Sequence, residues 1–169
     1  MTAPSYMIIF NFSFPFSIAE LNNGDYLHGP HVDPENSTDG KVVFVNNQNP
    51  DIPDQSGNIA SMISPIHRNA MASCVFEFWY YIAGDTSNLQ PILISKNFDR
   101  DLILDMLKPD SEGVGQWRKS VNGIGRQRED FQIRLTLEPS ATFDAGVAID
   151  DLGSWFFLTL SFSLEANHS

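Results

Sequence analysis

Apolar residues recur at every second position in the clearest stretches of this chain, and no sustained i, i+3, i+4 stripe accompanies them. Phe131 to Glu138 places Phe131, Ile133, Leu135 and Leu137 on one face and polar side chains on the other, which predicts a strand with one face in a core and one in water. Cys74 to Ile82 carries Cys74, Phe76, Phe78, Tyr80 and Ile82 on one face and Val75, Glu77, Trp79 and Tyr81 on the other. Both faces are largely apolar, as a central strand requires. Further strands are predicted at Lys41 to Val45, Ile59 to Ile63, Ile92 to Ser95, Leu102 to Leu107 and Val147 to Asp150, several of them separated by turn-rich segments such as Asn46 to Asn58 and Lys108 to Gly115. Short strands with turns between them predict an all-β sandwich or barrel. The two ends share the pattern: Phe10, Phe12, Phe14, Phe16 and Ile18 alternate with polar residues or proline, as do Leu158, Leu160, Phe162 and Leu164. Both are expected to be strands on one side of the fold, paired with each other, with Pro15 at an edge or bulge because it lacks an N–H.

Charge narrows the partners. The 169 residues hold 10 Lys and Arg against 21 Asp and Glu, a formal net charge of −11. No nucleic-acid partner is expected, because neutralising a phosphate backbone takes a cationic face and this chain has few cations to cluster. The single cysteine, Cys74, excludes an internal disulfide and a multi-cysteine zinc site and by itself leans towards a reducing compartment. Three N-x-[ST] triplets, at Asn11, Asn36 and Asn167, lean the other way as glycosylation acceptors. No run of eighteen apolar residues is present, so no transmembrane segment is expected in this chain. Met7 to Ala19 is apolar and ends in the small-x-small form Ser17-Ile18-Ala19. It departs from a cleavable signal in having no preceding cation and in its interruptions at Asn11, Ser13 and Pro15.

The standard catalytic motifs are missing: no G-x-S-x-G, no H-E-x-x-H and no G-x-x-x-x-G-K-[ST], while Gly123-Ile124-Gly125 reads as a turn. A glycosidase would need two carboxylates flanking a cleft, and Glu77 has no mate on a second strand, so the chain is not expected to be an enzyme. His28, His31 and Asp33 suit either zinc or a solvated loop. Cys74 is expected to be a buried, inert thiol. Asp33 to Gly40, with Asp39 before the glycine, groups oxygen donors in a tight loop, which serves calcium or is merely solvated. Asp150 and Asp151 end a strand. Alternation with Ile149 inward sends Asp151 to the core side, where a cation, backbone amides or an arginine such as Arg134 would have to meet it.

Several blocks in order, Gly29-Pro30-x-x-Asp33, Asp39-Gly40-Lys41-Val42-Val43-Phe44, Ala60-Ser61-Met62-Ile63-Ser64-Pro65, Cys74 to Gly84 with Leu89, Trp117, Phe131-Gln132-Ile133 and Gly146 to Leu152, resemble the MAM domain of meprins, neuropilins and mu-type receptor tyrosine phosphatases. The resemblance implies a jelly-roll β-sandwich of two antiparallel sheets over 20–153, with 1–19 a divergent flank or first strand and 154–169 a C-terminal flank or extra strand. It implies a non-catalytic adhesion or recognition module, extracellular or at the cell surface in a membrane-associated receptor or secreted protein, whose partner is another protein or a second copy of the chain. It also implies a calcium site at positions resembling Asp33 and the pair Asp150-Asp151, to which the acidic loop adds Asp39 as a candidate ligand. Family members carry several cysteines. Beside this pattern the lone Cys74 reads as lost disulfides and leaves stability to the aromatic core. The alternative function is a calcium-dependent, lectin-like sandwich in which Trp79, Trp117 or Trp155 stacks on sugar instead of packing within the fold.

Overall fold

A computed structural model describes residues 11–12, 16–21, 29–45, 60–85, 88–95, 101–109, 115–138 and 144–155. Ten strands appear in it: β1 (Asn11–Phe12), β2 (Phe16–Glu20), β3 (Lys41–Val45), β4 (Ala60–Ile63), β5 (Val75–Asp85), β6 (Asn88–Ser95), β7 (Leu102–Ile103), β8 (Trp117–Gly123), β9 (Phe131–Glu138) and β10 (Asp144–Trp155). They form two five-stranded sheets, ordered β1-β4-β9-β6-β7 and β2-β3-β10-β5-β8, in which every strand pair is antiparallel. This is the all-β sandwich expected from the alternation.

The inward faces supply the core. Phe76, Phe78, Tyr80 and Ile82 of β5 and Val147 and Ile149 of β10 pack with Met62, Leu89, Leu93, Ile133, Leu135 and Leu137 of the opposite sheet. Phe76, Phe78 and Tyr80 stack along β5, with successive ring centroids 5.1 and 6.3 Å apart. At roughly 1.5–3 kcal/mol for each large apolar side chain removed from water, this cluster is the principal favourable term, and Cys74 lies buried within it, outside any disulfide.

Two long stretches stay paired across both sheets. The β4–β9 ladder runs from Ala60↔Leu137 to Ile63↔Arg134, continues through bridges at His67↔Phe131 and Ala70↔Gln127, and becomes the β5–β8 ladder at Val75↔Gly123. One bent ladder therefore folds over the corner of the sandwich and closes one of its sides.

Several elements differ from the sequence expectation. The N-terminal run is not one strand: β1 pairs with β4 and β2 with β3, in opposite sheets. Its expected partner at residues 158–164 lies outside the described residues. The predicted strand from Leu102 to Leu107 is divided into β7 and a separate bridge, Leu89↔Leu107, with exposed Asp105 and Met106 between them. β6 begins at Asn88 and includes Pro91, which is tolerated because Pro91 turns its backbone towards the short edge strand β7, where its carbonyl accepts from Leu104 N at 2.8 Å. β8 carries no apolar alternation at all. Its inward positions are Ser120 and Asn122, both buried, and Asn122 Nδ2 donates to Ser120 Oγ at 2.8 Å.

Candidate functional site

The sheet containing β10 is covered on its outer side as well as its inner side. Leu21, Val42, Phe44 and Ala148 form a second buried cluster there, with Tyr81 and Trp117 packed against it. Gly29 and Pro30 are buried, and the loop they lead into is anchored where Trp117 Nε1 donates to Val32 O at 2.6 Å. Trp117 also leans on Tyr81, centroids 5.7 Å apart, so its ring is engaged in packing the outer face of the sheet.

Asp33 organises that loop. Its Oδ1 accepts from Glu35 N at 2.9 Å and from Ser37 N at 2.8 Å, its own N–H donates to Ser37 O at 2.9 Å, and its carbonyl accepts from Asn36 N at 3.0 Å. Asn36 takes the left-handed conformation that closes the turn, φ 64°, which asparagine tolerates better than most residues. Gly40 is required for space: a Cβ there would lie 2.7 Å from Asp33 Oδ2 and 3.1 Å from Asp33 Cβ.

Beside this loop stands Asp150. It is half-buried, its Oδ1 accepts from Asp151 N at 2.7 Å, and its carboxyl is pushed up to about 6. Burial is the main cause; the hydrogen bond from Asp151 opposes it, and the negative charges of Asp151, Asp33 and Glu35 reinforce it. Two of the sequence-predicted residues, Asp33 and Asp150, are thus brought into electrostatic contact, together with Glu35.

Asp151 departs from the expectation. The pairing register of β10 with β5 shifts between Asp150 and Gly153, and Asp151 itself has a φ of 46°. This irregularity breaks the alternation, so Asp151 is exposed instead of facing the core and needs no buried partner. Arg134 is paired with Asp101 instead. Asp39 is exposed, and its N–H donates to Ser37 Oγ at 3.2 Å. Among the described residues no three Asp, Glu, His or Cys side chains are placed as a chelating group. The charges of Asp33 and Glu35 act on Asp150 without the three forming such a group, and one oxygen of Asp33 already holds two amides.

Of the remaining candidates, His31 and Asn36 are exposed, the side chain of Asn11 is not described, and His28 and Asn167 lie outside the described residues. Burial raises the Cys74 thiol above its ordinary range, which disfavours the nucleophilic thiolate. Among the described residues, the depression lined by Tyr80, Ile82, Lys108, Pro109, Gln116 and Arg118 is open to solvent and encloses no cavity of the kind that holds a small molecule. Glu35, not singled out as a ligand in the sequence, sits on the Asx-type turn that Asp33 imposes, and its charge acts on Asp150.

The family model described as MAM domain, meprin/A5/mu, matches residues 19–154. Among solved structures the chain is similar to a carbohydrate-binding module in complex with β-1,4-galactotriose, at 9% identity and TM-score 0.44, covering 88% of this chain and 87% of that one. It is also similar to a cleaved adhesin domain of Lys-gingipain from Porphyromonas gingivalis, at 10% identity and TM-score 0.45, covering 81% and 88%.

Proposed function

Because the chain belongs to the MAM domain family, we propose that it is a non-catalytic recognition module that binds another protein, a second copy included, at the cell surface or in the extracellular space. The observation that carries this reading is the family match over residues 19–154. The fold supports it: a sandwich clad on its inner face and part of its outer face offers surfaces and loops more than an enclosed substrate cleft. Beads coated with the purified domain should aggregate or bind cells that display a defined partner. Beads that remain dispersed and bind no cell surface would reject the reading.

A second reading, calcium binding at the loop, is favoured by the juxtaposition of Asp33 and Glu35 with Asp150. A divalent cation would offset the charge gathered there, with carboxylate oxygens as the ligands calcium prefers. Asp39 and Asp151, both exposed on neighbouring backbone, would join only after rearrangement. Millimolar calcium should raise the melting temperature, and Asp33→Asn should remove most of the gain. No shift in the unmodified chain sinks this reading. Glycosylation is proposed at Asn36, which is exposed on its turn, and expression through a secretory pathway with and without Asn36→Gln would show it as a mass difference.

A further inference from the structure

The segments joining β4 to β5 and β8 to β9 both cross from one sheet to the other, and they cross paired. His67 with Phe131, and Ala70 with Gln127, exchange both backbone hydrogen bonds at 2.8–3.0 Å. Gln127 turns inward, is buried, and donates from Nε2 to Ile124 O at 3.0 Å. Alternation about it turns Arg126 and Arg128 outward, and both are exposed. Across the ladder Ala70 is buried, so Asn69 and Met71 also face outward, Met71 with 45% of its surface free, and exposed Arg68 adjoins them. Among the described residues the side chains of Arg68, Arg126 and Arg128 have no ion pair or hydrogen bond, whereas Lys119 pairs with Glu77 and Arg134 with Asp101.

We propose that this corner binds a linear sulfated polysaccharide. Guanidinium groups present forked donors that match a sulfate's oxygens in pairs, a geometry lysine lacks. Arg126 and Arg128 flank Gln127, and Arg68 lies two residues before Ala70, the bridge partner of Gln127 on the facing segment. The exposed guanidiniums around this bridge can each meet a sulfate of an extended chain, with exposed Met71, next to Ala70, as an apolar seat for a sugar ring. A thread touches the corner alone. An anionic membrane would set a like-charged plane against a broader part of a body of net charge −11. Glu129 and Asp130, exposed on the adjoining bend, limit the local positive field. The net charge argued against polyanions for the chain as a whole; the ladder makes a local exception by gathering three of its ten cations.

The probe is immobilised heparin at low ionic strength, with non-sulfated hyaluronan and phosphatidylserine vesicles as comparison arms. A chain of net charge −11 should be repelled by all three, so retention on heparin alone supports the proposal. The logarithm of affinity should fall with the logarithm of salt with a slope near −2, as expected for three contacts at about 0.7 each. Arg126→Ala with Arg128→Ala should abolish retention while circular dichroism stays unchanged, and Glu129→Gln with Asp130→Asn should delay elution. Absence of retention, equal retention of the double arginine variant, or equal binding to hyaluronan or to the vesicles would overturn it. Bead and cell binding, which reads the adhesion proposal, would be untouched by that failure.

Discussion

The indole N–H of Trp117 donates to the carbonyl of Val32 at 2.6 Å, tying the start of edge strand β8 to a loop 85 positions earlier. The same ring packs on Tyr81, so a single residue links the loop, the outer cluster and the edge. Trp117→Phe keeps most of the packing and removes the donor. The expected cost is about 1 kcal/mol, the net value of one hydrogen bond plus a partly buried carbonyl left unpaired. Faster amide exchange should follow at Ser37 and Asp39 but not at β9. Exchange unchanged at the loop would show that Trp117 does not hold it.

Gly40→Ala tests the contact from the other side. A methyl 2.7 Å from Asp33 Oδ2 forces the carboxylate away, and Asp33 Oδ1 cannot then keep both Glu35 N and Ser37 N. A loss of about 1–3 kcal/mol in urea unfolding is expected, in the range for overpacking with a disturbed polar group. Asp33→Asn retains an oxygen acceptor and should cost less than Gly40→Ala. The reverse order would mean that charge, and not the turn's hydrogen bonds, is what Asp33 supplies.

Strand β9 could be read from period two because its four apolar side chains all reach the core, although Thr136, on the face expected to be in water, is buried as well. Strand β8 could not, since Ser120 and Asn122 satisfy each other inside the sandwich and leave no apolar signature. The pairing of Asp33 with Asp150 was half legible. Both residues stood out, but the side that Asp151 faces depended on one left-handed residue in β10, and no hydropathy pattern reports a φ of 46°. The arginine corner was hidden for a different reason. Net charge averages over the chain, whereas the Ala70↔Gln127 bridge decides which cations become neighbours.

Thr136 offers a stabilising substitution. Its residue is 7% exposed in β9 and its Oγ1 has no hydrogen-bond partner. A buried hydroxyl without a partner costs on the order of 1 kcal/mol or more relative to an apolar group of the same shape. Thr136→Val exchanges that hydroxyl for a methyl and keeps the β-branching a strand favours. The unfolding midpoint in urea should rise by an amount worth about 1 kcal/mol with the slope unchanged. A fall in the midpoint would mean that the hydroxyl is hydrogen-bonded in solution.

Asp150 makes the fold's stability depend on pH in the direction opposite to a salt-bridged aspartate. Its carboxyl is pushed up to about 6 in the folded chain, against an ordinary value of 3.8. Between these values the folded state keeps a proton that the unfolded state has released, so this group's contribution falls as pH rises through the window and is fully unfavourable above it. Below about pH 4 both states are protonated and the penalty vanishes. Because the group is half exposed, solvent screening reduces the penalty at neutral pH to on the order of 1 kcal/mol. Asp150→Asn keeps an oxygen to accept from Asp151 N and removes the charge that Asp151, Asp33 and Glu35 oppose. The variant should therefore be more stable than the unmodified chain at pH 7.5 and equal to it near pH 3.5, with the difference growing between pH 4 and pH 6. Urea unfolding of both chains across that range measures it directly. A difference that stays constant with pH would mean that Asp150 is not the titrating group, and a variant less stable at pH 7.5 would mean that the ionised carboxylate is held by a positive partner.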